Sequence, residues 1–283
     1  MGEKIKESNS EFVGLGQCVP YSIELFKKNE FHKVRLKNVY DPSKFWIVIK
    51  YNELQLFTNY LTAYYNKSDR KVIVPKIELK HGLTCIILKN SKFYRANLLP
   101  ALLPENNKLR VFLLDYGCII SVEMSNVFYM LKKHCNVPRF SIRATLAYIS
   151  PANQYKPWCS TDLHRFCELL SEQDLSIKVM EIDFNLKILH VDIIRINDSM
   201  GESINNLLVK SGIAGYSQLI EESKEKSKYK NKVKYMHLCP SFNALERGGV
   251  PSSLWEQNLL KDVHLNLLYS YYQLKNERFG VTH

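Results

Sequence analysis

Four short apolar runs crowd into residues 84–122: Thr84 to Lys89, Phe93 to Leu98, Leu109 to Leu114 and Ile119 to Val122. Turn-forming residues separate them at Asn90-Ser91, Pro104-Glu-Asn-Asn107 and Tyr116-Gly117. Runs this short are strand length, and turns this close return each strand against its neighbour. A small bent barrel is the arrangement they permit.

The flanks carry a different pattern. Val34 to Tyr40 alternates apolar and polar residues, Asp41-Pro42-Ser43 turns, and Phe45 to Ile49 is β-branched and aromatic, which reads as a hairpin. Leu54, Phe57, Leu61, Tyr64 and Tyr65 then recur at helical spacing and share one helix face. Downstream, Ser141 to Ile149 alternates as a strand and Cys159 to Ser171 reads as a helix. Leu175 to Glu181 and Ile188 to Ile194 form a second hairpin, and a helix from Glu202 to Ser211 stops at Gly212. Residues 1–30 read as an N-terminal segment with a polar head and an irregular stretch around Gly14, Gly16 and Pro20, the ordered fold starting near Phe31.

Beyond Tyr216 the composition shifts. Residues 217–283 read as a basic, partly helical C-terminal extension, nearly all charged over 221–234. Ser253 and Glu256 have capping-box spacing, and Trp255, Leu259, Val263, Leu267, Tyr271 and Leu274 fall close to one helical face. That helix is expected to pack back on the domain, with partner binding as the alternative. The formal net charge of +11 favours acidic or nucleic-acid partners. Seven cysteines without a CxxC pair, and an N-terminus without an apolar signal segment, point to a reducing intracellular compartment. No apolar run reaches membrane-spanning length, so no membrane span is expected.

Taken in order, VRLKNVYDPSKFWIVI, LQLFTNYLTAYY, HGLTC, KFYRANL, VFLLDYGC, VPRFSIRATLAYISP and ESINNLLVKSGIA resemble the segments of an extended Tudor domain over about residues 31–216. The resemblance implies a mainly β fold with helices (α+β). In it a Tudor, SH3-like barrel at about 80–134 is inserted into a staphylococcal-nuclease-like OB-fold built from residues 31–52 and 138–216, with residues 53–66 as the connecting helix. It also implies a non-enzymatic scaffold without cofactor, placed in the cytoplasm at perinuclear germ granules. Its partner would be a PIWI-clade Argonaute or another arginine-glycine-rich protein, often carrying symmetric dimethylarginine. Such a guest is held because aromatic faces attract a guanidinium, and methylation weakens the hydration of that cation.

Carried over residue by residue, the family's cage is incomplete here. Tyr94 and Tyr116 supply two aromatics. Leu113 stands where a third is usual, Cys118 where an asparagine anchor is usual, and the first-strand aromatic falls at Leu88 or Lys89. Each lost wall removes on the order of 0.5–2 kcal/mol of cation-π attraction, so weak or absent dimethylarginine selectivity is expected.

Other chemistry is thinner. Lys226, Lys228, Lys230, Lys232 and Lys234, interleaved with Tyr229 and Tyr235, suggest an RNA-binding adaptor as the alternative function, with RNA contacting the OB surface and basic tail. Glu181, Asp183 and Asp192 are the carboxylates a nuclease would use, but no arginine constellation accompanies them. His134-Cys135 and His237 with Cys239 lack zinc-site spacing, and no metal site is expected.

Overall fold

A computed structural model of the chain describes residues 11–100, 108–153, 157–170, 175–196, 201–217 and 240–248. In chain order its elements are β1 (Phe31–Asp41), β2 (Lys44–Val48), α1 (Tyr51–Tyr65), β3 (Thr84–Lys89), β4 (Lys92–Leu98), β5 (Lys108–Leu113), β6 (Cys118–Glu123) and β7 (Val127–Tyr129). There follow α2 (Lys132–Cys135), β8 (Ser141–Leu146), β9 (Ile149–Pro151), α3 (Ser160–Leu170), β10 (Leu175–Asp183), β11 (Ile188–Arg195), α4 (Ile204–Lys210), β12 (Ala214–Tyr216) and α5 (Phe242–Glu246).

Strands β1-β10-β11-β8-β2 close into one barrel, and β6-β5-β4-β3-β7 form a five-stranded sheet. The sheet is an insertion between β2 and β8, which are themselves paired, Val48 opposite Ser141. The alternation of apolar residues sends Phe45, Ile47, Ile142, Ile177, Val191 and Ile193 into the closed barrel, where Phe166 of α3 and Leu208 of α4 cap them. A second apolar cluster, with Ile87, Ala96, Leu98, Val111, Leu113 and Val127, fills the inserted sheet.

Between the two lies a third cluster centred on Trp46, Tyr65, Phe93 and Phe112. Helix α1 belongs to it: Leu54, Thr58, Leu61 and Tyr65 recur along one face and are buried. Arg95 of β4 ties the seam together. Its side chain is wholly buried, its Nε donates to Asp115 (2.8 Å), and its Nη1 and Nη2 donate to the carbonyls of His134 (2.8 Å) and Pro138 (3.1 Å).

The structure departs from the sequence reading in three places. Residues 11–30 are part of the packed body: Val13, Val19 and Ile23 are buried, and Val13 N–H donates to Met130 (2.8 Å). The strand read as Ser141 to Ile149 is two strands, β8 and β9, because Tyr148 adopts a left-handed φ of 59° and bends the chain between them. Residues 240–248, read as extension, dock at the seam, where the Glu246 carboxylate is buried between Arg139 and Arg143. Lys226, Lys228, Lys230, Lys232 and Lys234, and the helix read beyond Pro251, lie outside the described residues.

Candidate functional site

The candidate site is the open end of the inserted sheet, and strand register decides what faces it. Asn90 (φ 48°) and Ser91 (φ 59°) make a two-residue hairpin of left-handed residues, a turn that matches strand twist. It sets Lys89 opposite Lys92, Leu88 opposite Phe93 and Ile87 opposite Tyr94. Directly opposed residues share a sheet face, so Ile87 and Lys89 lie on the side of Tyr94. Leu88 lies on the other, packed on the seam cluster with Phe93. The first-strand position facing Tyr94 is therefore Ile87, one residue before the two expected from sequence, and Leu88 leaves the site.

The remaining positions converge. Ala96 pairs with Leu113 and Leu113 with Cys118, which puts Tyr94, Leu113 and Cys118 on one face. Tyr116 closes the corner: its ring centroid is 5.5 Å from that of Tyr94 at an interplanar angle of 77°. The turn carrying it is fixed from both sides. Asp115 accepts from Arg95 and from Phe140 N–H (3.2 Å), Gly117 N–H donates to Leu113 (2.8 Å), and the Tyr116 hydroxyl is hydrogen-bonded to Thr58 of α1 (3.1 Å).

Gly117 is obligatory at this turn, with φ 69° and an added Cβ falling 2.4 Å from the Trp46 side chain. Asn38 Nδ2 donates to its carbonyl (2.8 Å), docking the turn on β1.

The electrostatics differ from those of a complete aromatic cage. Burial pushes the Cys118 thiol up to about 11, partly offset by the nearby positive charge of Lys37, so the thiol is neutral at physiological pH. Burial likewise raises the Tyr94 and Tyr116 hydroxyls. Arg35 and Lys37 lie over the Tyr51 ring at 3.8 and 4.8 Å, and Lys89 Nζ donates to the Ser121 carbonyl (3.3 Å) at the rim. Two tyrosine faces thus meet in a corner completed by Ile87, Leu113 and a thiol, with lysine charge beside it. Ile87, Lys37 and Tyr51 were not singled out from sequence. Only the two-residue hairpin, which fixes the register, signalled Ile87.

The nuclease-type carboxylates do not assemble a centre. Glu181 accepts from Tyr148 Oη (3.2 Å), and Asp183 accepts from the N–H groups of Asn185 (2.9 Å) and Leu186 (2.8 Å) in its own turn. Among the described residues no group of three His, Cys, Asp or Glu is placed to hold a metal ion.

An aromatic corner on a small five-stranded sheet, inserted into a closed barrel and wedged to it by one helix, fits an extended Tudor architecture. Residues 26–148 match the Tudor domain family, and the fold is that of extended Tudor domains. It is 26% identical over 207 residues to mouse Tudor domain-containing protein 6, a match covering 70% of this chain but 9% of that protein. The chain thus spans less than a tenth of the length of that relative. Among solved structures it resembles the human TDRD1 extended Tudor domain in complex with a symmetrically dimethylated peptide. That likeness has a TM-score of 0.60 and 17% identity, covering 72% of this chain and 98% of that one. The extended Tudor domain TD3 from mouse TDRD1, in complex with a MILI peptide containing dimethylarginine, gives a TM-score of 0.58 at 19% identity, covering 68% and 96%. No described helix is long and apolar enough to cross a membrane.

Proposed function

We propose that this chain is a non-enzymatic protein-binding scaffold of the PIWI-interacting RNA pathway. It seats an arginine-glycine-rich segment of a PIWI-clade protein at the Tyr94–Tyr116 corner, with little or no preference for dimethylarginine. The observation that carries the reading is the corner itself: two tyrosine rings held at 77° by a turn anchored through Asp115, Gly117 and Thr58. A guanidinium can stack on a tyrosine face, whereas added methyl groups find Leu113 and Cys118, with Ile87 buried behind them, in place of aromatic walls. Lys37 beside Cys118 adds a repulsion that methylation does not relieve. The two structurally similar TDRD1 domains, in complex with dimethylated peptides, support a peptide-binding role. Placement at a perinuclear germ granule in the cytoplasm follows from the same family context.

The test is calorimetric titration of the full chain with matched unmethylated and symmetrically dimethylated arginine-glycine peptides. Similar affinities for the two, abolished in a Tyr94→Ala/Tyr116→Ala variant, are expected. A clear preference for the methylated peptide, or binding that survives the double substitution, would overturn the reading.

A further inference from the structure

The seam between the closed barrel and the inserted sheet holds a second constellation, away from the tyrosine corner. Both oxygens of Glu246 are saturated. They accept from Tyr21 Oη (2.7 Å), Trp46 Nε1 (3.0 Å), Arg139 Nη1 (3.0 Å), Arg143 Nε (2.8 Å) and Arg143 Nη2 (2.9 Å). All five donors belong to the body of the domain, and the acceptor arrives on a short separate segment, residues 240–248.

The two arginines have partners besides Glu246. Arg139 Nε donates to the Val19 carbonyl (3.2 Å) and its Nη1 to Tyr21 Oη (2.7 Å), while Arg143 Nη1 donates to the Leu186 carbonyl (2.9 Å). Both guanidinium groups lie over the Tyr21 ring, at 4.2 and 4.9 Å. The backbone of Arg139 is fixed as well, its N–H donating to Pro20 and its carbonyl accepting from Ser22 Oγ. Two buried guanidiniums over one ring repel without a carboxylate, so the seat favours an anion with planar, two-oxygen geometry. Beside it, Phe242 meets the Trp46 ring edge-on at 5.2 Å, and Leu245 is buried in the seam cluster. The segment therefore offers the pattern Phe-x-x-Leu-Glu to this seat, and Asn243 Oδ1 accepts from Arg143 Nη2 (2.7 Å).

We infer that Tyr21, Trp46, Arg139 and Arg143 form a carboxylate receptor, occupied in cis by Glu246, and that an acidic Phe-x-x-Leu-Glu-type segment of a partner protein can displace residues 240–248 from it. Charge complementarity selects the occupant: two fixed cations, one carboxylate, and an aromatic and an aliphatic anchor at fixed offsets. Tethering gives the cis segment the advantage of high effective concentration, so a free competitor gains access chiefly when the tether is cut.

The experiment uses the full chain with a protease recognition sequence inserted after Lys228, cleaved and then mixed with a fluorescently labelled peptide spanning residues 240–248. Circular dichroism monitors the fold, and anisotropy monitors uptake. Saturable uptake by the cleaved chain is expected, weaker in the uncut chain, and reduced about tenfold or more when the peptide carries Glu246→Gln. Failure of the cleaved chain to take up the peptide would overturn the inference, as would uptake insensitive to Glu246→Gln. So would loss of the fold once the segment departs, because that result makes residues 240–248 a permanent part of the core.

Discussion

Replacing Arg95 by Met retains most of the buried stem and removes the guanidinium that joins β4, the Asp115 turn and the segment after α2. The Asp115 carboxylate, with its side chain 4% exposed, then keeps only the Phe140 N–H of its named partners. Breaking one side of a buried ion pair costs about 3–5 kcal/mol, because the remaining charge stays desolvated. A central value of about 4 kcal/mol is a large share of the roughly 5–15 kcal/mol that holds a typical domain folded. At about 2–4 °C per kcal/mol for a body of this size, the melting temperature should fall by roughly 8–16 °C. Scanning calorimetry with urea titration measures the loss. The Arg95→Met/Asp115→Leu double variant removes the stranded carboxylate and should recover part of it. An Arg95→Met chain within about 1 kcal/mol of wild type, or a double variant less stable than the single, would refute the claim that this pair is coupled and buried.

Three further outcomes are expected. Gly117→Ala forces a Cβ into Trp46 at a left-handed φ, and should destabilise the chain by roughly 2–4 kcal/mol in denaturant titration. Burial, with Lys133 and Arg95 nearby, holds the buried His134 imidazole down at about 4, against the usual 6.5. Its folded value is depressed, so the stability it confers is fully present above pH 6.5 and is lost as pH falls from about 6.5 to about 4. The loss amounts to about 3 kcal/mol, and a His134→Gln chain should show a flatter stability–pH curve across that window. Ile87→Phe/Leu113→Tyr/Cys118→Asn rebuilds the missing walls and anchor. It should create a preference of about tenfold or more for dimethylated over unmethylated peptide in calorimetry, and the absence of any preference in a folded variant would count against the cage logic.

The closed barrel and the inserted sheet were legible because their signals are local. Alternation places Phe45 and Ile47 inside, and helical spacing buries Leu54, Leu61 and Tyr65, with no information needed from distant residues. Cage register needed one step more. The sequence Lys89-Asn90-Ser91-Lys92 permits a two-residue turn, and that turn alone moves the facing residue from Leu88 or Lys89 to Ile87. The docked segment was not legible, since five helical residues carry no periodicity and Glu246 finds its partners at Arg139 and Arg143, about a hundred positions away. Val13 and Val19 were missed for a related reason: isolated apolar residues among glycines look like loop until the surface they cover is known.

The insertion of the five-stranded sheet within the closed barrel has a kinetic consequence. Val48 and Ser141 must meet for the outer barrel to close, yet the whole inserted sheet lies between them in the chain. Closing a long flexible loop carries an entropic cost that grows with the number of free residues. A folded insert, whose strands pair with near neighbours such as Lys89 with Lys92, brings those two ends within reach before the outer strands pair. Assembly from the inside outward follows, with β3 to β6 gaining protection from hydrogen exchange before β2 and β8 join.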